Sequence, residues 1–543
     1  MVSKLAAAIV AALGLTASAP APHVVYSAPK KPHAKKAALP VLFVSGHGWG
    51  HGVGLAQYGA YGYALHGWTF DKIVAHYYPG TELGPAPVKK VRVLLLASAR
   101  RAVISSSAPF TVVDGNGANH KLAAGPQPLG PGLKVALSSG KAKALPGPLL
   151  FSPGTAPLSL GGRGYRGSLR VKTTGSALEV VNVVGLESYL LGVVPSEMPS
   201  RWPAEALASQ AVVARTYALT HLQKGGDFDL YPDTRSQVYG GIKAEAASSN
   251  AAVSETANQI VLYDGEPADT YFSSSSGGRT ANVQDVWSSP PVPYLISVPD
   301  PYDTLSPYHN WGPLRFSSAT IAKRFHVPGK VTDFRANVSP SGRVRTITFV
   351  GTGGEQTVAG STIRASLGLR STWFRFGLLS LSPAGTATYG SRITLLGAAR
   401  GAPKVYLEAR AYGGGWKSLG RLKVKNGAVG TTVKPKLTTD YRLQSGGFRS
   451  AVVRVPVAPL VTLLAGSDGV SVSGVVRPVA SGQNVDVQRL DPDGWTTVVS
   501  ATTDSSGSFQ ATLDLQPGSY RARVAAARGY ANGISKTLTV VSP

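Results

Sequence analysis

Cysteine is absent from all 543 residues, which excludes disulfide stapling, thiol nucleophiles and thiolate metal sites. Acidic residues are scarce: 28 Asp and Glu stand against 54 Lys and Arg, a formal net charge of +26. That balance attracts polyanions, yet no helix-turn-helix, finger or base-stacking motif accompanies the charge, which reads as spread along the chain. Nucleic acid is therefore set aside; an anionic polymer or lipid surface fits better, with simple solubility as the competing account. Long apolar runs are missing too. The segment Leu5 to Leu15 is too short to span a bilayer. Preceded by Lys4 and followed by Ala17, Ala19 and Ala21, it reads as an export signal over residues 1–21. Pro20 and Pro22 disfavour cleavage just before them, so a retained anchor is the alternative. Residues 22–40, with Pro29-Lys30-Lys31-Pro32-His33-Ala34-Lys35-Lys36, read as a basic, extended linker.

The length suggests three or four domains. The most informative stretch is Val193-Val194-Pro195-Ser196-Glu197-Met198-Pro199, one carboxylate in an apolar, proline-bounded turn. Val194, Met198 and Trp202 would strip water from Glu197 and raise its pKa, leaving an acid able to protonate a leaving group near neutral pH. A surface glutamate in a proline-rich loop is the competing reading. A helix is expected from Pro203 to Gly225, burying Leu207, Ala211, Ala214, Ala218 and Leu222 against a sheet. It offers Gln210, Arg215 and Tyr217 as polar groups, each able to serve structure equally well.

The run Glu187-Ser188-Tyr189-Leu190-Leu191-Gly192-Val193-Val194-Pro195-Ser196-Glu197-Met198-Pro199, leading into Gln210-Ala211-Val212-Val213-Ala214-Arg215-Thr216-Tyr217-Ala218, resembles the stage II sporulation protein D (SpoIID/LytB) family. So do Asp233-Thr234-Arg235-Ser236-Gln237-Val238-Tyr239-Gly240-Gly241 and the serine-rich Tyr271-Phe272-Ser273-Ser274-Ser275-Ser276-Gly277-Gly278-Arg279-Thr280. Gly50-His51-Gly52-Val53-Gly54-Leu55-Ala56-Gln57-Tyr58-Gly59-Ala60 and His76-Tyr77-Tyr78-Pro79-Gly80-Thr81 also match it, although in the family these two elements usually close the domain. Here they open it, as in a circular permutant, which closely placed domain termini allow.

The resemblance implies an α+β domain over residues 41–377 that acts on peptidoglycan glycan strands. The implied activity is that of a lytic transglycosylase with Glu197 as single acid and base, cutting between MurNAc and GlcNAc and leaving 1,6-anhydro ends. Glu187, in a segment read as strand, would be the second carboxylate of a hydrolase, a minor alternative. Gln237, Tyr239, Ser275, Gly277 and Gly278, with Gln210, Arg215, Tyr217, His51, Gln57 and Tyr58, are the implied substrate contacts, structural turns being nearly as good a reading. His47 and His51 stand four apart, a metal spacing on a helix, but the surrounding glycines argue for a loop. Some members are thought to use Cys and His for zinc; Phe272 stands where that His is expected, so no metal and no cofactor is expected. Part of the family is described as amidase enhancers, which gives the alternative of a non-catalytic peptidoglycan-binding protein assisting a cell-wall amidase. Anionic wall polymers are a further expected partner.

From about residue 380 the pattern becomes alternating and turn-rich. It repeats: Trp416 and Trp495 are 79 residues apart, as are Tyr441-Arg442 and Tyr520-Arg521. Two all-β, immunoglobulin-like sandwiches are expected, 381–457 and 458–543, with each tryptophan a core anchor rather than a sugar platform.

Overall fold

The structure is a computed structural model that describes residues 24–27, 39–87, 89–223, 225–287, 289–382 and 384–541. The stretch read as an export signal lies outside these residues, as does the linker apart from 24–27 and 39–40. Among the described residues no helix is long and apolar enough to cross a membrane.

Four helices meet in the first part of the chain: α1 (Gln57–Leu65), α2 (Phe70–Tyr77), α3 (Leu186–Glu197) and α4 (Ala204–Thr220). Every residue of α4 from Ala206 to Thr216 is buried. The expected stripe against a sheet is too narrow a picture: small residues all round α4 let α1, α2, α3, α5 (Ala247–Glu255) and the strand Gln259–Tyr263 approach it together. The helix also stops earlier than Gly225. His221 closes it, with its amide and ring Nδ1 both on the Tyr217 carbonyl.

In α3, Leu186, Tyr189, Leu190, Val193 and Val194 fall at i, i+3, i+4, i+7 and i+8 and bury one face. The segment read as a turn is thus the last turn of a helix. Pro195 is tolerated there because it removes only one intrahelical amide close to the end. Glu187, read as strand, lies in the first turn.

Between α2 and α3 the chain builds a six-stranded antiparallel sheet in which Lys90–Ala99 pairs with Ala177–Gly185. Val91, Phe151 and Leu169 from this sheet share one core with Tyr189, Leu207 and Ala211 of the helices, which clamps α3 and α4 in place.

A second sheet orders Asn310–Ser317, Val41–His47, Phe374–Leu381, Ile393–Arg400 and Ala428–Val433, so a continuous ladder runs from the α+β region into the first β-rich repeat. In that repeat Val405–Ala411 pairs with Lys417–Leu422 and Thr439–Ser445. In the next, Asn484–Asp491 pairs with Gly494–Thr502 and Gly518–Val524. The 79-residue sequence repeat is a repeat of topology, one unit built around Leu395, Leu407 and Leu443, with Phe43 and Leu379 of the α+β region completing that core, and the other around Val472, Val487 and Ala522. Val24–Ser27 adds an antiparallel strand to Thr537–Val540 at the edge of the second unit. Trp416 and Trp495 lie outside both cores, against expectation. Each is half-buried under a guanidinium, Arg442 at 3.8 Å and Arg521 at 4.2 Å from the ring centroids, because the G-W turn that carries it leads onto an edge strand.

Candidate active site

The glycine-rich segment 48–54, which follows the strand Val41–His47, is a loop threaded along the serine-rich stretch 271–278. Trp49 and Ser275 exchange backbone hydrogen bonds of 2.9 and 3.1 Å, and Leu55–Ala56 runs parallel to Phe272–Ser273. Only glycine fits at 54: φ is +67°, and a Cβ would lie 2.1 Å from the Tyr271 carbonyl oxygen. From behind, Asp303 gathers the serine-rich loop. Its carboxylate accepts from Ser275 Oγ (2.9 Å), the Ser276 amide (3.0 Å) and the Gly277 amide (2.8 Å), and lies 3.0 Å from His309 Nδ1. Asp300 accepts from Ser276 Oγ at 2.7 Å. Burial raises both carboxyls, and the facing charge of Asp303 helps push Asp300 up to about 7. Sequence reasoning missed this pair; two aspartates three apart, followed by His309, are its only trace.

In front of these loops opens a cleft of about 640 Å³. Glu197, the last residue of α3, points into it and is the one carboxylate among its described lining residues. Glu197 Oε1 accepts from the Val238 amide at 2.9 Å, and its backbone carbonyl accepts from Gln57 Nε2 at 3.0 Å. Burial pushes the Glu197 carboxyl above the usual carboxylate range, and the Val238 amide draws it partway back.

Because the folded chain holds this proton more tightly than the unfolded one, the associated stability is full below the ordinary carboxylate pKa and is lost as pH rises through the raised value. Glu197→Gln, which cannot ionise, is therefore expected to melt above the wild type at about pH 8, the gap closing at about pH 4. Thermal melts at both pH values check this.

Of the expected contacts, His51, Gln57 and Tyr217 line the cleft with Glu197. Burial lowers the His51 pKa to about 4, with Arg364 and Arg343 adding to the effect, so the ring is neutral. The others are not among the residues lining the cleft. Gln210, Arg215, Gln237, Tyr239 and Ser275 are buried, each 3 % exposed or less. Arg215 grips Glu187 with two bonds of 2.9 and 2.6 Å. Gln210 accepts from Gln57, Gln237 binds the Ala214 carbonyl, and Tyr239 donates to Asn182. Tyr58 packs on Trp202, while Gly277 turns with φ +78° against His47 and Gly48, and Gly278 continues that turn. These residues hold the cleft's frame.

Tyr271, Trp287 and Arg364 are among the lining residues that carried no functional expectation. Tyr271 and Trp287 meet at 4.6 Å and, with Tyr217, whose ring stacks on His221 at 3.8 Å, make an aromatic wall. Trp49 at the rim is 41 % exposed and Trp287 is 44 % exposed, unusual for rings of that size and suited to covering a sugar face. Among the described residues no three His, Cys, Asp or Glu side chains cluster as a metal site would require.

Residues 174–263 match the family model described as Stage II sporulation protein, SpoIID. Stage II sporulation protein D of Bacillus subtilis is 30% identical over 247 residues, covering 41% of this chain and 69% of that protein. An uncharacterized protein of Brachyspira hyodysenteriae is 41% identical over 143 residues, 26% of this chain and 39% of its own length. The Amidase enhancer of Bacillus subtilis is 44% identical over 115 residues, 21% of this chain and 15% of the enhancer. The chain thus spans well under half the length of the last two.

Proposed function

Because the chain belongs to the stage II sporulation protein D family, we propose that it is a peptidoglycan lytic transglycosylase in which Glu197 is the single acid and base. Protonated Glu197 gives its proton to the glycosidic oxygen between MurNAc and GlcNAc as the bond from C1 breaks. The resulting carboxylate takes the proton of the MurNAc 6-hydroxyl while that oxygen closes on C1. One end is left as a 1,6-anhydro sugar, the other as a free 4-hydroxyl, and no water is consumed.

The observation that carries this reading is that Glu197 is the one carboxylate among the described residues lining the cleft, where burial raises its pKa. A hydrolase needs a second carboxylate some 5–9.5 Å away. Glu187 stands ten residues up α3, roughly 15 Å along the helix axis, and is tied to Arg215. Work at the cell wall follows from this substrate, and a wall amidase is a proposed partner, since one relative is named Amidase enhancer. The direct test is release of soluble fragments from insoluble peptidoglycan. Wild type is expected to release them and Glu197→Gln is not; a protein that only assists an amidase would show no difference.

The exposed aromatics are the proposed sugar platform. Trp287→Ala is expected to raise KM for glycan about fivefold with little change in kcat, since ring stacking of about 1 kcal/mol is lost equally from ground and transition states. Steady-state kinetics on a soluble glycan checks it.

A further inference from the structure

The positive charge is not spread evenly after all. Residues 381–457 hold thirteen Lys and Arg against two carboxylates, Glu408 and Asp440, a net of +11. Residues 458–543, built on the same strand plan, hold six of each sign and net to zero. Both carboxylates of the first repeat are already engaged, Glu408 by Arg442 and Arg449 and Asp440 by Arg410 and Arg454. That leaves a row of cations with no acidic partner among the described residues. Lys417 and Arg421 lie on the strand Lys417–Leu422, Lys423 and Lys425 in the turn that follows, and Lys434 and Lys436 just past the strand Ala428–Val433. All six are exposed.

These two strands are the free edges of the unit's two sheets, joined by the turn that bridges Lys425 and Ala428. The row therefore follows one side of the unit for about 20 Å, by the rise of an extended strand. Lysine on an edge strand also guards against edge-to-edge pairing. The second repeat argues that this is not the reason: Gly494–Thr502 is an equally free edge, and 79 residues beyond Lys417, Arg421, Lys423 and Lys425 stand Thr496, Ser500, Thr502 and Asp504. The same edge is kept without a single cation.

We propose that this edge of the first β-rich repeat is a docking track for a linear phosphodiester polymer, whose spaced negative charges meet the row. The charge complementarity is local to the track, and the inference does not depend on the chemistry of the Glu197 cleft. Single-stranded nucleic acid would call for open aromatic faces on which bases stack, whereas Trp416, the unit's tryptophan, is covered by Arg442 and flanked by Arg410. A membrane surface would favour an amphipathic helix with an apolar wedge, and the track consists of two strand edges and a turn.

The test uses the full chain and fluorescent poly(glycerol phosphate), with anisotropy read over a salt series. Lys417→Thr/Arg421→Ser/Lys423→Thr/Lys425→Gln takes three of its replacements from the second repeat, where the fold already accommodates them. Arg100→Gln/Arg101→Gln/Lys141→Gln/Lys143→Gln removes the same charge from exposed positions in the β-rich segment between α2 and α3. The track variant is expected to bind about tenfold more weakly at about 0.1 M salt, with a log–log salt slope shallower by roughly three, while the control stays within about twofold of wild type. Equal losses in both variants, an unchanged track variant, or tighter binding to single-stranded DNA or anionic vesicles than to the polymer would overturn the proposal.

Discussion

Glu197→Gln is expected to lower the rate of glycan cleavage by about 10²–10⁴-fold, the usual worth of a positioned acid–base group, with KM nearly unchanged. In barrier terms that is about 3–5 kcal/mol. The glutamine has the same shape and can keep the bond from the Val238 amide through its carbonyl oxygen, so the loss is chemical and not a collapse of the cleft. Among the described lining residues no other group is suited to supply the proton: burial, with the nearby Glu197 adding to it, raises the Tyr217 pKa so that its hydroxyl holds its proton too tightly, and burial leaves the His51 ring neutral with no proton to spare. The pH profile follows from the sign of the shift. Cleavage needs the protonated carboxyl, so the rate is expected to fall as pH rises through the raised pKa, and the falling limb should be absent from any residual activity of Glu197→Gln.

The second large effect concerns Asp303. Asp303→Ala would strand Ser275 Oγ, two backbone amides and His309 inside the protein at once. Breaking a buried charged network from one side costs about 3–5 kcal/mol. Because the chain has several cores, a single unfolding free energy is not well defined, and the effect is best read locally. Hydrogen exchange at the amides of residues 275–277 should accelerate by about 10²–10³-fold, with the amides of the second β-rich repeat unchanged. Asp303→Asn, which keeps an acceptor, should fall between the two. The loop matters to the site because Ser275 carries Trp49 through the backbone pair described above, so cleavage should drop along with protection.

The parts of this molecule legible in the sequence were those written in local pattern. Glu197 could be picked out because valine, methionine and tryptophan crowd it, and the β-rich repeats because Trp416 and Trp495 keep their spacing. The helical spacing of Leu186, Tyr189, Leu190, Val193 and Val194 was equally readable, yet the two prolines flanking Glu197 signal a turn more loudly than the apolar stripe signals a helix. What local pattern does not carry is which polar motif residue faces the ligand. Gln210 and Gln57 both look like contacts; one is fully buried and the other lines the cleft, and the bond that joins them spans 153 residues of sequence. Arg215 is sealed by elements 28 to 44 residues away. Trp287 and Arg364 reach the cleft from segments without any repeating pattern to flag them. The charge of the first repeat was there to be counted, but it vanishes when averaged over the whole chain.

The measurement that bears most directly on the central claim is mass spectrometry of the products formed by wild type and Glu197→Gln on intact and on amidase-stripped peptidoglycan. Wild type alone is expected to yield 1,6-anhydro-MurNAc ends, on at least one of the two substrates. Reducing MurNAc ends would instead mean that water attacks and a second base is at work. Identical product profiles from both proteins would contradict the role given to Glu197.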